Sequence, residues 1–323
     1  MAEDLRQGRK KVWVHSIFEK AVNLEAEGHL YTLLATQKET LLPEDKEYLG
    51  VPGSAYADIK NFKTIKSVSG EAVYLREHRI QIGEAYFFFS EPVVFFPDAF
   101  FQIKDLPKGK RAGISKGLIR FDAFLPEIAK DKGAGAGLFY MDYFGAENRG
   151  SGGFQIQKDC LQTELEKRLA QVCDLLRVRG SERELAKIVS RTVGAGVGLT
   201  PSADDFFCGM FLAMNCLEWE TVKKAVEAGI REAVGKKRTT RVSEEMLLFH
   251  VGHLFPRIYL KLAEAFLTGG GDLEKVMERL SKVGHSSGID MACGMAAAFR
   301  IFIGVCEGGD CVEKNCGSKK CVF

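Results

Sequence analysis

The sequence has almost no net charge. Lys and Arg number 45 against 43 Asp and Glu in 323 residues, leaving a formal charge of +2. That balance makes no broad positive field, and the basic stripe of a nucleic-acid binder is missing. No uninterrupted apolar run reaches the roughly 18 residues that mark a membrane span. The best candidate, residues 291–305, is short and carries Arg300. Nothing after the charged start at 1–11 resembles the apolar core of a signal peptide. Neither nucleic acid nor membrane is an expected partner, and cytoplasm is the expected compartment. Most of the nine cysteines are then expected to be thiols. There is no C-x₂-C pair of the kind common in zinc and iron–sulfur sites. Cys306, Cys311, Cys316 and Cys321 instead follow one another at intervals of five, which reads as a solvent-exposed, redox-sensitive tail, the alternative being an extended tail that folds back to clip a metal. A P-loop and an H-E-x-x-H helix are also missing.

What is present is enough for a large core. Hydrophobic residues make up 46 % and charged residues 27 %, the balance of a globular chain. The first half reads as mainly β after a weakly helical start. Short β-rich runs lie at 71–75, 80–82, 85–89 and 93–96, with two further candidate strands at 117–121 and 137–143. Gly-rich stretches at 133–137 and 150–153 read as loops and a boundary. From about residue 159 the period changes to that of helices, at 161–177, 182–193, 205–219, 222–234, 243–254, 257–267, 273–283 and 289–306. The expected fold is α+β. A β-rich region, 1–155, precedes a helical domain, 156–306, and a Cys-containing tail, 307–323.

Two stretches of the helical part repeat S-x-x-D-x-x-C-G-M: Ser202-Ala-Asp-Asp-Phe-Phe-Cys-Gly-Met210 and Ser287-Gly-Ile-Asp-Met-Ala-Cys-Gly-Met295. Each opens a helix that is apolar nearly all round, so both helices are expected to be buried. S-x-x-D is capping-box spacing, and on that reading Ser202 with Asp205, and Ser287 with Asp290, only cap core helices. Gly209 and Gly294 inside the helices point to close approach of another backbone, since glycine there costs about 1 kcal/mol against alanine. Cys208 and Cys293 read as core residues rather than nucleophiles.

The functional reading adds what precedes each helix. Gly194-Ala-Gly-Val-Gly-Leu-Thr-Pro-Ser202 and Gly284-His-Ser-Ser-Gly288 deliver flexible chain into helix starts, which are natural anion sites. Asp204 and Asp205 oppose a bare phosphate there. A carboxylate about 4 Å from a phosphate charge costs around 4 kcal/mol at an effective dielectric of 20. They are therefore expected to hold Mg²⁺, to pair with arginine, or simply to cap. Asp204, which capping leaves over, is the better functional candidate. A third cluster, Lys236-Lys-Arg-Thr-Thr-Arg-Val-Ser243, offers guanidinium forks and hydroxyls; its plain alternative is an exposed basic loop. Only six histidines are present. His250 and His253 read as one packed helix face, and His285 is the acid/base candidate.

Together these residues resemble a known family. Gly198-Leu-Thr-Pro-Ser-Ala-Asp-Asp-Phe206, Thr239-Thr240 with Ser243, and Gly284-His-Ser-Ser-Gly-Ile-Asp290 come in the order seen in AllH-type proteins. The likeness runs from about Val12 to Val305. Ala203 stands where the family usually has Gly, and aromatic residues are fewer after Gly288. The resemblance implies a subunit of oxamate carbamoyltransferase, an enzyme of anaerobic allantoin and purine degradation. That enzyme interconverts oxalurate plus phosphate with oxamate plus carbamoyl phosphate, and it works with two other subunit types. The expected site takes a small anionic substrate. His285, Asp204 and Asp205 are its catalytic candidates. Gly198, Thr200, Ser202, Arg238, Thr239, Thr240, Arg241, Ser243, Ser286, Ser287 and Asp290 are its binding candidates, and Asp204 with Asp205 the Mg²⁺ candidates. Arg238-Thr-Thr-Arg241 also looks like the phosphate motif of ornithine/aspartate carbamoyltransferases, but the surrounding pattern is not a parallel α/β sheet. Two readings from other classes stand beside this one. One is a non-catalytic scaffold subunit. The other is a small-molecule kinase, because residues 194–203 resemble the ATP loop of GHMP kinases.

Overall fold

The computed structural model describes residues 11–19, 21–35, 54–57, 62–64, 70, 72–76, 79–88, 111–129, 135–145 and 158–307. The chain divides into two compact units, one built from residues 1–101 with 254–257 and the other from 102–253 with 258–323.

The first unit is a seven-stranded sheet. Its strands are β1 (Val12–Ile17), β2 (Ala21–Ala26), β3 (His29–Ala35), β4 (Ser54–Ala57), β5 (Ala72–Arg76), β6 (Arg79–Ile82) and β7 (Ala85–Phe88), in the order β4-β3-β2-β1-β5-β6-β7. All neighbours are antiparallel except β3 and β4. Val12, Val14, Leu24, Leu33, Val73 and Ile82 are buried in its core, while Trp13 and Tyr74 are exposed. The alternation is that of strands with one covered face. Three of these strands occupy the segment expected to be weakly helical. The expected strand at 93–96 lies outside the described residues.

The second unit is helical. Its helices are α1 (Arg111–Ala129), α2 (Ala136–Gly145), α3 (Cys160–Arg177), α4 (Glu182–Thr192), α5 (Ser202–Cys216), α6 (Glu220–Gly235), α7 (Arg241–Val251), α8 (Arg257–Thr268), α9 (Leu273–Leu280) and α10 (Ser287–Glu307). All eight helices expected after residue 159 are present. The candidate strands at 117–121 and 137–143 are corrected: they lie inside α1 and α2. Their β-prone aromatics are core residues of helices, with Phe121, Phe139, Tyr140 and Phe144 at most 2 % exposed. His253 is also corrected, since α7 ends at Val251 and leaves only His250 on the helix.

The centre of this unit is the pair α5 and α10. In α5, Ser202 through Met214 are all buried. The longer α10 is long and apolar enough to cross a membrane by composition alone, yet 78 % of that stretch is buried inside the protein. Its one basic residue, Arg300, pairs with Asp122 of α1 and donates to Tyr140 Oη of α2 at 3.2 Å. That is the pattern of a core helix. Cys306 falls in the last turn of α10, and Cys311, Cys316 and Cys321 lie outside the described residues.

Candidate functional site: buried carboxylates at two crossing helix starts

The repeated glycine of the two similar stretches makes the site. A Cβ on Gly209 would lie 1.8 Å from Met291 O, and one on Gly294 would lie 1.9 Å from Phe206 O. Helices α5 and α10 therefore cross backbone against backbone, each using the other's missing side chain. Asp205 lies one turn before Gly209 and Asp290 one turn before Gly294. The crossing thus brings the two helix starts, and their carboxylates, together.

Asp204 is a structural hub. It is fully buried and accepts from Gly194 N–H at 2.6 Å and from the hydroxyls of Thr239 and Ser243. Burial pushes its carboxyl up, and these three donors pull against that rise. Thr240 caps α7 by accepting from Ser243 N–H at 3.1 Å, and its hydroxyl donates to Leu199 O. The cluster at 239–243 therefore ties the Gly-rich loop at 194–200 to the start of α7. Both Asp204 oxygens face donors, and neighbouring helix positions point about 100° apart. Asp204 and Asp205 accordingly do not converge on one point. Among the described residues no three His, Cys, Asp or Glu side chains form a metal-holding group.

Asp205 and Asp290 behave differently, and the capping boxes expected for them do not form. The N-cap of α5 is Pro201, with no side-chain cap bond, and Ser202 is already helical. Asp290 turns to another helix instead. Its Oδ1 accepts from Ala136 N–H at 2.7 Å and Gly137 N–H at 3.3 Å, which caps the start of α2. Its Oδ2 and both oxygens of Asp205 accept no hydrogen bond of good geometry, although the hydroxyls of Thr200 and Ser287 lie near Asp205 and those of Ser202 and Ser286 near Asp290. The nearby hydroxyls of Thr200 and Ser287 bond each other at 2.9 Å. Burial, then the neighbouring Asp290 charge, holds the Asp205 carboxyl well above the usual carboxylate range, while those hydroxyls act the other way. Burial pushes Asp290 up to about 6 against the opposing effects of Ser286, Ser202 and the two α2 N–H groups.

The expected basic residues are turned to solvent or to other partners. Arg238 is exposed and donates to Ser190 O at 3.4 Å. Arg241 is engaged with Glu244 at 3.3 Å and Glu245 at 2.7 Å. His285 and Gly198 are exposed. Among the N–H groups expected to hold an anion, that of Ala203 is spent on Ala195 O at 3.0 Å.

Three contributors escaped the sequence reading. Tyr259 of α8 is buried, and the charges of Asp205 and Asp290 act on its phenol. Gly135, read as loop, has φ +151°, and a Cβ there would sit 2.8 Å from Asp290 Oδ1. Gln162 of α3 fixes Gly135 by accepting its N–H at 2.8 Å and donating to its O at 3.0 Å. Only the Gly-rich run before an apolar stretch signalled that α2 starts there.

Fold and site together define an α+β protein with an acidic cluster buried at paired helix starts. A family model described as oxamate carbamoyltransferase subunit AllH matches residues 192–299, which contain the whole cluster. The model of the AllH family N-terminal domain matches residues 1–91. The chain belongs to the AllH family. No solved structure matches it.

Proposed function

We propose that this chain is a carbamoyl-transfer subunit of oxamate carbamoyltransferase, or of an enzyme for a related ureide, and that its substrate binds at the starts of α5 and α10. One observation carries the reading. Three carboxylate oxygens of Asp205 and Asp290 are buried and accept no hydrogen bond of good geometry, beside a hydroxyl pair and inside the matched region. An unmet buried polar group costs about 1–3 kcal/mol, and such expense clusters at functional sites. A fold needing only helix caps has no use for it.

In the transfer, the oxamate nitrogen attacks the carbamoyl carbon. A C–N bond forms as the C–O bond to phosphate breaks, and the nitrogen gives up a proton. His285, exposed two residues before α10, takes that proton. The hydroxyls of Thr200, Ser202, Ser286 and Ser287 orient the carbamoyl group, and Arg238 meets the phosphate or carboxylate from the solvent side. Asp204, through Thr239 and Ser243, holds the covering loop. Two other subunit types complete the enzyme. The scaffold reading draws on Asp204 and the Asp290 cap, both of which serve the fold.

A thermal-shift screen of the full chain with carbamoyl phosphate, oxalurate, oxamate, phosphate and ATP tests this. A ligand at about a hundred times its Kd stabilises by roughly 2.7 kcal/mol, a shift of several degrees. Carbamoyl phosphate or oxalurate is expected to give it and ATP is not. A shift with ATP alone favours the kinase. No shift, together with full turnover of a reconstituted complex carrying Asp205→Asn, favours the scaffold.

A further inference from the structure

We propose that Asp205 and Asp290 hold a divalent, oxygen-preferring cation between the starts of α5 and α10. The ligands offered are both oxygens of Asp205 and Oδ2 of Asp290. Each residue is 1 % exposed, and none of the three oxygens accepts a hydrogen bond of good geometry, although hydroxyls lie close by. Asp290 Oδ1 is already committed to the start of α2, which fixes the direction of Oδ2. Hydroxyls complete an all-oxygen set. Thr200 and Ser287, 2.9 Å apart, act on Asp205, and Ser202 and Ser286 act on Asp290. Oxygen-only sets with two carboxylates suit hard ions of the Mg²⁺, Mn²⁺ and Ca²⁺ type.

Charge balance points the same way. The groups acting on Asp204, Asp205 and Asp290 are carboxylates, hydroxyls and backbone N–H groups, with no basic side chain among them. Arg241 is engaged with two glutamates, and Arg238 lies at the surface. Two buried carboxylates that act on each other must be neutralised, by protons or by a bound cation, and a cation between them does so at neutral pH. The ion also resolves how an anionic substrate approaches an acidic site: it turns the site positive toward phosphate or carboxylate. That consequence rests on the carbamoyl-transfer reading, whereas binding of the ion does not.

The test is titration of the EDTA-stripped full chain with Mn²⁺ alone, followed by electron paramagnetic resonance. One Mn²⁺ per chain is expected, displaced by excess Mg²⁺. Asp205→Asn and Asp290→Asn should each weaken it at least tenfold, and Glu274→Gln, in a surface ion pair, should leave it unchanged. Asp290→Asn also disturbs the α2 cap, so Asp205→Asn, nearly the same shape and able to keep an oxygen toward the Thr200 and Ser287 hydroxyls, is decisive. Its circular dichroism should match that of the unmodified chain. A folded chain that binds no Mn²⁺, or an Asp205→Asn variant that binds it equally well, overturns the proposal. Mn²⁺ binding without any response to carbamoyl ligands would refute the transfer reading and leave the cation site standing.

Discussion

Asp204 and Asp205 are neighbours in the sequence with opposite economies. Asp204 meets three donors from two segments, Gly194 on one side and Thr239 with Ser243 on the other. Ser243→Ala leaves one acceptor position unmet and should cost about 1–3 kcal/mol, seen as a melting point several degrees lower. Asp204→Asn is sharper, because its amide end must face a donor. Activity of the assembled enzyme is expected to fall at least tenfold, with kcat and KM read separately because the residue acts through the loop. Unchanged turnover would remove Asp204 from the mechanism. Asp205→Asn should leave the metal-free chain as stable as before or more so, because it removes a buried carboxyl beside Asp290 that no cationic side chain offsets. A large loss of stability there would mean that Asp205 is structurally paired after all.

At the scale of elements, the crossing of α5 and α10 is what makes the site possible. Gly209→Ala drives a methyl into Met291 O, and neither helix can retreat without opening the core. We expect destabilisation of about 3 kcal/mol or more, and denaturant unfolding of that variant measures it. A loss below about 1 kcal/mol would mean the helices sit farther apart. The helices after residue 159 were legible in the sequence, as were the glycines' close approach and β5 to β7. The segments at 117–121 and 137–143 were not: α2 is apolar on nearly every side and offers no period to read, and within α1, where Gly117, Leu118 and Phe121 are buried but Ile119 is exposed, five residues rich in Ile and Phe are too few to tell helix from strand. Strands β1 to β3 were missed because Glu25, Glu27 and Gly28 break the apolar alternation near their hairpin. Within the site, the local repeat identified Asp204, Asp205 and Asp290. It could not show that Asp290 caps α2, 154 residues away in sequence, or that Tyr259 faces the cluster. Those partnerships are tertiary, and capping-box spacing is the same whether or not the box closes.

For the whole molecule, the buried ionisable groups set a pH dependence whose sign can be worked out. Burial raises the carboxyls of Asp204, Asp205 and Asp290, the last to about 6. A raised folded carboxyl keeps its proton where the unfolded one has lost it, so stability grows as pH falls toward about 6 and below. His250 acts the other way. It is 2 % exposed, and burial lowers its imidazole to about 4 from an ordinary 6.5. The unfolded chain therefore takes up a proton first, and stability falls on acidification between about 6.5 and 4, by at most about 1.4 kcal/mol per pH unit. Above about 6.5 the carboxylates act, joined toward pH 8 by the buried thiols of Cys173, Cys208, Cys216 and Cys293, which burial also pushes up, so the metal-free chain is expected to melt higher at pH 6 than at pH 8. Below that the imidazole offsets the carboxyls and the curve should level. His250→Asn, which retains a donor toward Met246 O, is expected to extend the rise to lower pH. Thermal unfolding of the EDTA-treated chain at constant ionic strength measures both effects. A melting point that falls steadily from pH 8 to pH 6 would mean the carboxylates already have their positive charge within the protein, which would remove the electrostatic need for a cation at Asp205 and Asp290.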